Sequence, residues 1–410
     1  MTPDLELDLV QGDRIELTVG APAHGGHCVA RLGGRVVFVR HALPGEEVTA
    51  EITEIHKSFL RADAVEIHSP SPDRITPACR YARPGACGGC DLQHVSADAQ
   101  LRWKGAVVEE QLRRLAGLSL SVRVEALPPS LGWRTRVRYA VDALGRAGLL
   151  QHRSHQVVPI ERCVIAHPAI QELDLLERVW DSASSVQAVA SSGGEVAVLE
   201  RGPGGGAVED DPTSSPMGGT LISGPSELTE VAAGRTFGVP PQGFWQVHPA
   251  AADTLTASVL DMLRPVEGET AWDLYGGAGL FAAALAGHTR ARVTLVESSP
   301  VGAAAARANL SDLPVEVVHA RVESALRRLH TPAPDLVVLD PPRSGAGARV
   351  VREIAAADPR AVAYVACDPA SLARDVATFA TLGWRLAELR AFDCFPMTHH
   401  VECVALLLPA

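Results

Sequence analysis

Long hydrophobic runs are missing from this 410-residue sequence; "CVALLL" is among the longest, and such runs are too short to cross a bilayer. The opening "MTPDLELDLV" has neither the basic start nor the apolar stretch of a secretion signal. Both absences predict a cytoplasmic protein with no membrane partner. A disulfide framework is excluded on the same ground, because cytoplasmic thiols stay reduced; the eight cysteines then serve metal ligation, catalysis or plain burial. Excess positive charge is lacking as well. Lys and Arg number 37 against 48 Asp and Glu, a net charge of -11, which taken alone argues against a nucleic-acid partner.

That balance is uneven along the chain. Between Arg102 and Arg153, Arg102, Lys104, Arg113, Arg114, Arg123, Arg134, Arg136, Arg138, Arg146 and Arg153 face only Glu109, Glu110, Glu125 and Asp142. A local basic face holds phosphates even on an acidic chain, and a solvated face with no partner has the same composition. With 47% hydrophobic residues, 410 residues suffice for two or three domains, each with its own core. No obligate protein partner is expected, and the chain is read as a monomer.

Residues 8–68 carry short β-type runs, "RIELTV", "RVVFVR", "EEVTAEITEI" and "RADAVEI", broken by Gly and Pro turns, the pattern of a small OB-like barrel. "SPSPDRITPAC" reads as a stiff linker opening a central α+β region, 69–240. There the spacing predicts a helix over Leu101 to Leu115, then antiparallel strands in "TRVRYAVDALGRAGLLQHRSHQVVPIERC". Arg201 to Gly219, rich in Gly, Pro and Asp, reads as a mobile surface loop. Residues 241–410 alternate apolar strands ("TAWDLY", "RVTLVE", "VEVVHA", "DLVVLD", "AVAYVA") with Ala-rich helices, as in a parallel sheet covered on both faces. The last two strands follow each other without a helix, so one must run antiparallel. The predicted fold class is therefore multidomain α/β, ending in a Rossmann-like domain with a mixed seven-stranded sheet.

In "WDLYGGAGLF", Asp273 lies near the end of the first strand of that domain, and Tyr275, Gly276, Gly277 and Gly279 lead into a helix. Such a loop lets a ligand approach the backbone at the switch point of the sheet, although a plain tight turn has the same look. Glu297 stands at the tip of the second strand, where a carboxylate accepts both ribose hydroxyls of an adenosine. Asp340 ends the fourth strand in "LDPPRSG". The glycines lack the spaced G-x-G-x-x-G pattern, which favours S-adenosylmethionine over NAD, with a Rossmann dehydrogenase as the competing reading. Cys367, in "YVACDPASLARD", sits at the end of the fifth strand before a helix N-terminus, a position that lowers a thiol pKa. A thiolate beside a methyl donor has a use: added to carbon 6 of a uracil, it turns carbon 5 into a nucleophile. The carbon 5 proton must then pass to a base, for which Glu402 in "HHVECVALL" is the candidate; an edge-strand glutamate facing solvent is the alternative.

The chain at this point resembles the RNA 5-methyluridine methyltransferases that carry an N-terminal TRAM domain and an iron-sulfur cluster, the 23S rRNA type in particular. "GGHCVARLGGRVVFVRHALPGEEVTAEI" is similar to the TRAM barrel, "CGGCDLQH" to the cluster motif, "FWQVHP" to the start of the catalytic domain, and "DPPRSG", "CDPASLARD" and "HHVECV" to its end. The resemblance implies contacts to S-adenosylmethionine from Gln246, Tyr275, Glu297 and Asp340, with Cys367 as nucleophile and Glu402 as base. It implies structured RNA as partner, ribosomal RNA ahead of transfer RNA. The family usually has Asn where His248 and Asp368 stand here, and some relatives bind the cofactor through Asn at positions aligned with Leu280 and Arg321. The resemblance further implies that Cys79, Cys87, Cys90 and Cys163 hold a [4Fe-4S] cluster. Four thiolates suit the cluster by number, and a four-cysteine zinc site remains the rival. Two other functions stay open: methylation of an exocyclic amine, which needs no thiol, and a non-catalytic RNA-binding factor.

Overall fold

The computed structural model describes residues 9–202, 219–327 and 333–410. The loop expected between Arg201 and Gly219 falls almost wholly outside the described residues.

Six strands begin the chain: β1 Arg14–Thr18, β2 Pro22–Ala23, β3 His27–Leu32, β4 Arg35–Arg40, β5 Glu47–Ile55 and β6 Phe59–Ser69, in sheet order β1-β5-β6-β4-β3-β2. Because β1 runs through three residues into β2 at the far edge, the sheet curls closed around Val37, Val39, Val48, Ile52 and Leu60. The Gly-flanked "HCVARL" of β3 was not among the expected strands.

Helix α1, Ala97–Gln111, begins four residues earlier than the apolar spacing suggested and passes at Leu112–Ala116 into a wider π turn that Gly117 ends with φ 67°. Its Trp103 and Val107 join the barrel core, while Val108 and Leu112 join the core under the C-terminal sheet. The helix thus cements the two. Strand β7, Val124–Ala126, follows. The central region then forms β8 Arg136–Val141, β9 Ala147–Leu150, β10 Val157–Pro159, a short helix α2 Pro168–Gln171, β11 Ser185–Ala190, β12 Val196–Arg201 and β13 Thr220–Ser223, an antiparallel sheet in the order β10-β9-β8-β11-β12-β13. Strands β14 Leu228–Ala232 and β15 Arg235–Val239 follow as a separate two-stranded hairpin.

The last third contains α3 Ala251–Leu263, β16 Ala271–Leu274, α4 Leu280–Thr289, β17 Val293–Glu297, α5 Pro300–Asn309, β18 Val315–His319, α6 Val322–Ala325, β19 Leu336–Leu339, α7 Gly347–Ala356, β20 Ala361–Ala366, α8 Pro369–Thr381, β21 Trp384–Asp393 and β22 Glu402–Pro409. The sheet order is β18-β17-β16-β19-β20-β22-β21-β7, with β22 the antiparallel strand. The expected seven strands are there, but the sheet has eight: β7, from the central region, pairs parallel with Ala391–Asp393 and covers an edge otherwise open. No described helix is long and apolar enough to cross a membrane.

Candidate active site

Strands β16, β17, β19 and β20 run parallel, so their carboxyl ends share one edge, where ligands of open α/β sheets bind. Strand β22 runs the other way, so its first residue reaches that same edge. The β20–β22 ladder ends at Ala366 opposite Cys403, and one step further the chain presents Cys367 on one strand and Glu402 on the other.

Both line a cavity of about 810 Å³ together with Gln246, Tyr275, Gly277, Glu297 and Asp340. Phe244, Arg321 and Phe395 complete much of its wall. Glu297 holds the floor in shape, its carboxylate accepting the Gly277 N–H at 2.9 Å and the Ser299 N–H at 2.5 Å. Gln246 reaches Asp340 Oδ2 at 3.5 Å. Asp273 and Gly276 do not line the cavity. Asp273 lies wholly buried beneath the loop, where its Oδ2 accepts the Ala282 N–H at 2.8 Å and fixes the first turn of α4. At Gly276 a Cβ would meet Leu295 Cγ at 2.5 Å, so this glycine lets the loop settle on the sheet.

The site is acidic and short of counter-charge. Burial pushes the Asp340 carboxyl up to about 7. Burial, and then the neighbouring Asp340, push Glu402 well above the usual carboxylate range, while Arg343 pulls it down. Glu402 Oε1 and Asp273 Oδ1 are buried without a hydrogen-bond partner among the described residues. Buried carboxyls facing one cavity fit a cationic ligand such as a sulfonium, which supplies the charge they lack.

Of the positions departing from the family pattern, His248 is occupied elsewhere: Nδ1 accepts the Ala250 N–H at 3.2 Å and Nε2 donates to Pro129 O at 3.1 Å. Asp368 caps α8 through the Ser371 N–H at 2.8 Å and accepts from His24 Nε2 of the barrel at 2.8 Å. Leu280 is buried at the start of α4, whereas Arg321 stands in the cavity wall. Motif reading missed the group just before Glu402 in the chain, where the His399 and His400 rings lie tilted at 42° with centroids 4.0 Å apart and Arg343 donates to His400 Nε2 at 2.8 Å. The His-His doublet before Glu402 was the available signal. Phe244 lines the cavity, Arg343 sits on His400, and His155 is exposed outside the cavity.

Cys79, Cys87, Cys90 and Cys163 are in no disulfide and surround one small pocket. The cysteine loop is stitched to the end of β9 by a Cys87–Gln151 bridge and by Gly88 N–H to Leu150 O at 2.9 Å. At Gly88 a Cβ would lie 2.6 Å from His152 N, so only glycine allows this approach. Gly89 N–H points at Cys87 Sγ at 3.4 Å. No three Cys, His, Asp or Glu side chains among the described residues close on one point as ligands of a single ion do.

The basic stretch from Arg102 to Arg153 is not one face. Lys104 is fully buried on Asp393 at 2.5 Å, Arg136 is buried against Glu230 at 3.5 Å, and Arg102 pairs with Asp73 at 2.7 Å. Lys104 and Arg136 hold elements together and are withdrawn from any phosphate track, while Arg113, Arg114, Arg123, Arg146 and Arg153 are exposed.

A TRAM domain model matches residues 9–65, and a tRNA (Uracil-5-)-methyltransferase model matches 236–409. An uncharacterised RNA methyltransferase of Streptomyces avermitilis is 48% identical over 97% of this chain and 99% of its own. The chain belongs to the S-adenosylmethionine-dependent RNA (uracil-5) methyltransferase family. An uncharacterised RNA methyltransferase of Corynebacterium efficiens is 39% identical over 98% of this chain and 97% of its own. The crystal structure of Pyrococcus abyssi tRNA (uracil-54, C5)-methyltransferase in complex with S-adenosyl-L-homocysteine superposes with a TM-score of 0.72 at 25% identity, covering 96% of this chain and 99% of that one.

Proposed function

We propose that this family member methylates carbon 5 of a uridine in structured RNA, with Cys367 as nucleophile and Glu402 as base. The observation that carries the reading is their placement one step beyond the β20–β22 ladder, in one cavity with Asp340. Gln246, Tyr275, Glu297 and Asp340 hold S-adenosylmethionine, which supplies an electrophilic methyl group; Asp273 and Gly276 shape the loop beneath it. The Cys367 thiolate adds to carbon 6 of the uracil, and the electron pair displaced onto the ring makes carbon 5 nucleophilic. Carbon 5 takes the methyl group and S-adenosylhomocysteine leaves. Glu402 then accepts the carbon 5 proton, the carbon 5–carbon 6 double bond re-forms and Cys367 departs as thiolate. A carboxyl lifted by burial is a stronger base than an exposed one and suits this proton.

Ribosomal RNA is the proposed substrate, on the similarity of the cysteine motif to cluster-bearing relatives, and the units are 8–68, 69–240 and 241–410. Cys79, Cys87, Cys90 and Cys163 would hold a [4Fe-4S] cluster, which clamps the loop after the barrel to the strands after Arg153. Their thiols surround a pocket without converging on a point. Four thiolates complete such a cluster, and a four-cysteine zinc site is the rival that metal analysis must separate from it. The test is labelled S-adenosylmethionine with unmodified ribosomal RNA and, separately, transfer RNA, followed by nucleoside mass spectrometry. Label in 5-methyluridine of ribosomal RNA, abolished by Cys367→Ala, is the expected result. Label in another nucleoside would overturn the thiolate mechanism, and label in transfer RNA alone would overturn the substrate.

A further inference from the structure

A second cavity, of about 480 Å³, lies between the barrel, the cysteine loop and the turn after β9, and shares no residue with the first. Four arginines line it, Arg40, Arg61, Arg83 and Arg153, against two carboxylates, Glu54 and Asp63. With Asp91 counted against Arg40, one positive charge is still in excess there, on a chain whose net charge is -11. Burial also pushes the Asp63 carboxyl up, which weakens its share of the neutralisation.

The pairing inside the cavity is loose. Arg61 and Arg153 both lean on Glu54, at 3.5 and 3.8 Å, and Arg40 reaches Asp91 at 3.4 Å. Such separations are at or beyond the limit of charge-assisted hydrogen bonds. Arg83 is in no ion pair among the described residues. Arg61 is fixed rather than floppy, its guanidinium 5.7 Å from the Phe38 ring centroid and 5.4 Å from that of Phe59, and it donates to His27 Nε2 at 2.5 Å. Burial and then Arg153 lower the Arg61 pKa, the mark of cations crowded without enough anion. Internal ion pairs alone would match charge to charge and close the gap; here an oriented guanidinium, two further arginines and open volume remain.

We propose that this cavity is a phosphodiester subsite, at which Arg61, Arg83 and Arg153 hold the backbone of the substrate RNA away from the target uridine. The assignment rests on the RNA-modifying function proposed above. Forked guanidinium donors suit phosphate oxygens, and a subsite that touches only backbone adds affinity without choosing sequence. Its distance along the chain from Cys367 is bridged in space: Asp91, which Arg40 of this wall contacts, also binds His399, three residues before Glu402 in the chain. Backbone held here is therefore held by the same framework that positions the base.

The test uses the full-length protein and a fluorescein-labelled oligouridylate of about 20 nucleotides, long enough to span several phosphate-binding positions, titrated by anisotropy at a series of salt concentrations. Arg83→Ala/Arg153→Ala should weaken binding about tenfold and lower the slope of log Kd against log salt by about 0.7 for each phosphate that is no longer neutralised. Methyl transfer at saturating RNA should keep its kcat while KM rises. The control Arg352→Ala/Arg385→Ala removes the same charge from exposed positions outside the cavity. An unchanged affinity and slope in the first variant, or an equal loss in the control, overturns the subsite. Absence of methyl transfer by the wild-type protein, with the binding loss still seen, counts against the proposed reaction and leaves the subsite standing.

Discussion

Asp91 and His399, separated by 308 positions in sequence, are joined twice: Asp91 Oδ2 accepts the His399 backbone N–H at 3.2 Å and its ring Nδ1–H at 2.6 Å. The carboxylate can only accept, so the ring proton is on Nδ1. The other oxygen faces Arg40 of the barrel at 3.4 Å, and the residue before Asp91 is Cys90. Gly26, at φ +77°, lets the barrel come this close, since a Cβ there would stand 2.7 Å from the Asp91 Cβ. One buried carboxylate therefore ties the barrel, the cysteine loop and the residues leading to Glu402.

Asp91→Asn should therefore act on three regions at once. The variant keeps the shape but removes the charge that Arg40 and His399 face, a change that costs about 3 kcal/mol for a broken buried pair. Denaturant unfolding should show the loss. Because His399 leads into the strand carrying Glu402, kcat should fall more than KM rises. An unchanged kcat at the full stability loss would confine Asp91 to scaffolding.

Glu402→Gln separates the two halves of the proposed reaction. A glutamine accepts no proton, so Cys367 stays bonded to the methylated uracil and turnover falls at least about 100-fold, as for loss of a general base. Denaturing electrophoresis should then show an RNA–protein band of reduced mobility that needs both Cys367 and S-adenosylmethionine. Equal activity of Glu402→Gln and wild type would remove Glu402 from the mechanism.

The strand-tip residues were legible because an apolar parallel strand announces its own end: Glu297, Asp340 and Cys367 each follow an unbroken buried run. Glu402 was legible only through its motif, since its place opposite Cys367 depends on β22 returning antiparallel beside β20. Asp273 and Gly276 were misplaced for a local reason. Sequence shows that a residue lies in a ligand loop, not whether it faces the ligand or the sheet beneath. The apparent basic face failed because the partners that bury Lys104 and Arg136 lie 289 and 94 residues away. Strand β7, at three residues, carries too little pattern to be seen, and exists because the edge of β21 accepts it.

Protons should loosen one part of the molecule and tighten another. His27 and His94 are held neutral, lowered to about 3 and about 4, first by burial and then by Arg61 and Arg74 respectively. Below about 6.5 the unfolded chain binds protons that these folded histidines refuse, so the barrel and cysteine loop lose stability as pH falls, by about 1.4 kcal/mol per pH unit for each proton. Asp273 and Asp340 have the opposite sign. Burial raises both to about 7, so between about 4 and 7 the folded state keeps protons that the unfolded state has released, and the catalytic edge loses stability as pH rises. Hydrogen exchange at pH 5, 6 and 7 should show protection moving in opposite directions at β3–β6 and at β16 and β19. Asp340→Asn should weaken the second trend, Asp273 carrying what remains, and leave the first; parallel trends in both regions would refute the assignment.

The cysteine pocket yields the last prediction. Burial pushes the Cys90 and Cys163 thiols up, so an empty site holds protonated sulfur and metal binding must displace those protons. Anaerobically purified protein should show a broad band near ~400 nm and about four irons per chain, both lost with Cys163→Ser. Chelation or oxidation of the cluster should free the segment after β10, because Cys163 is then no longer tied to the loop of Cys79, Cys87 and Cys90. The loosening should appear as protease cleavage between Cys79 and Cys90 while the sheet carrying Cys367 stays protected. Colourless protein holding one zinc would reject the cluster. Coloured protein whose loop resists cleavage after iron removal would keep the cluster and reject the clamp, leaving the Cys87–Gln151 bridge and the Asp91 contacts as what holds that loop in place.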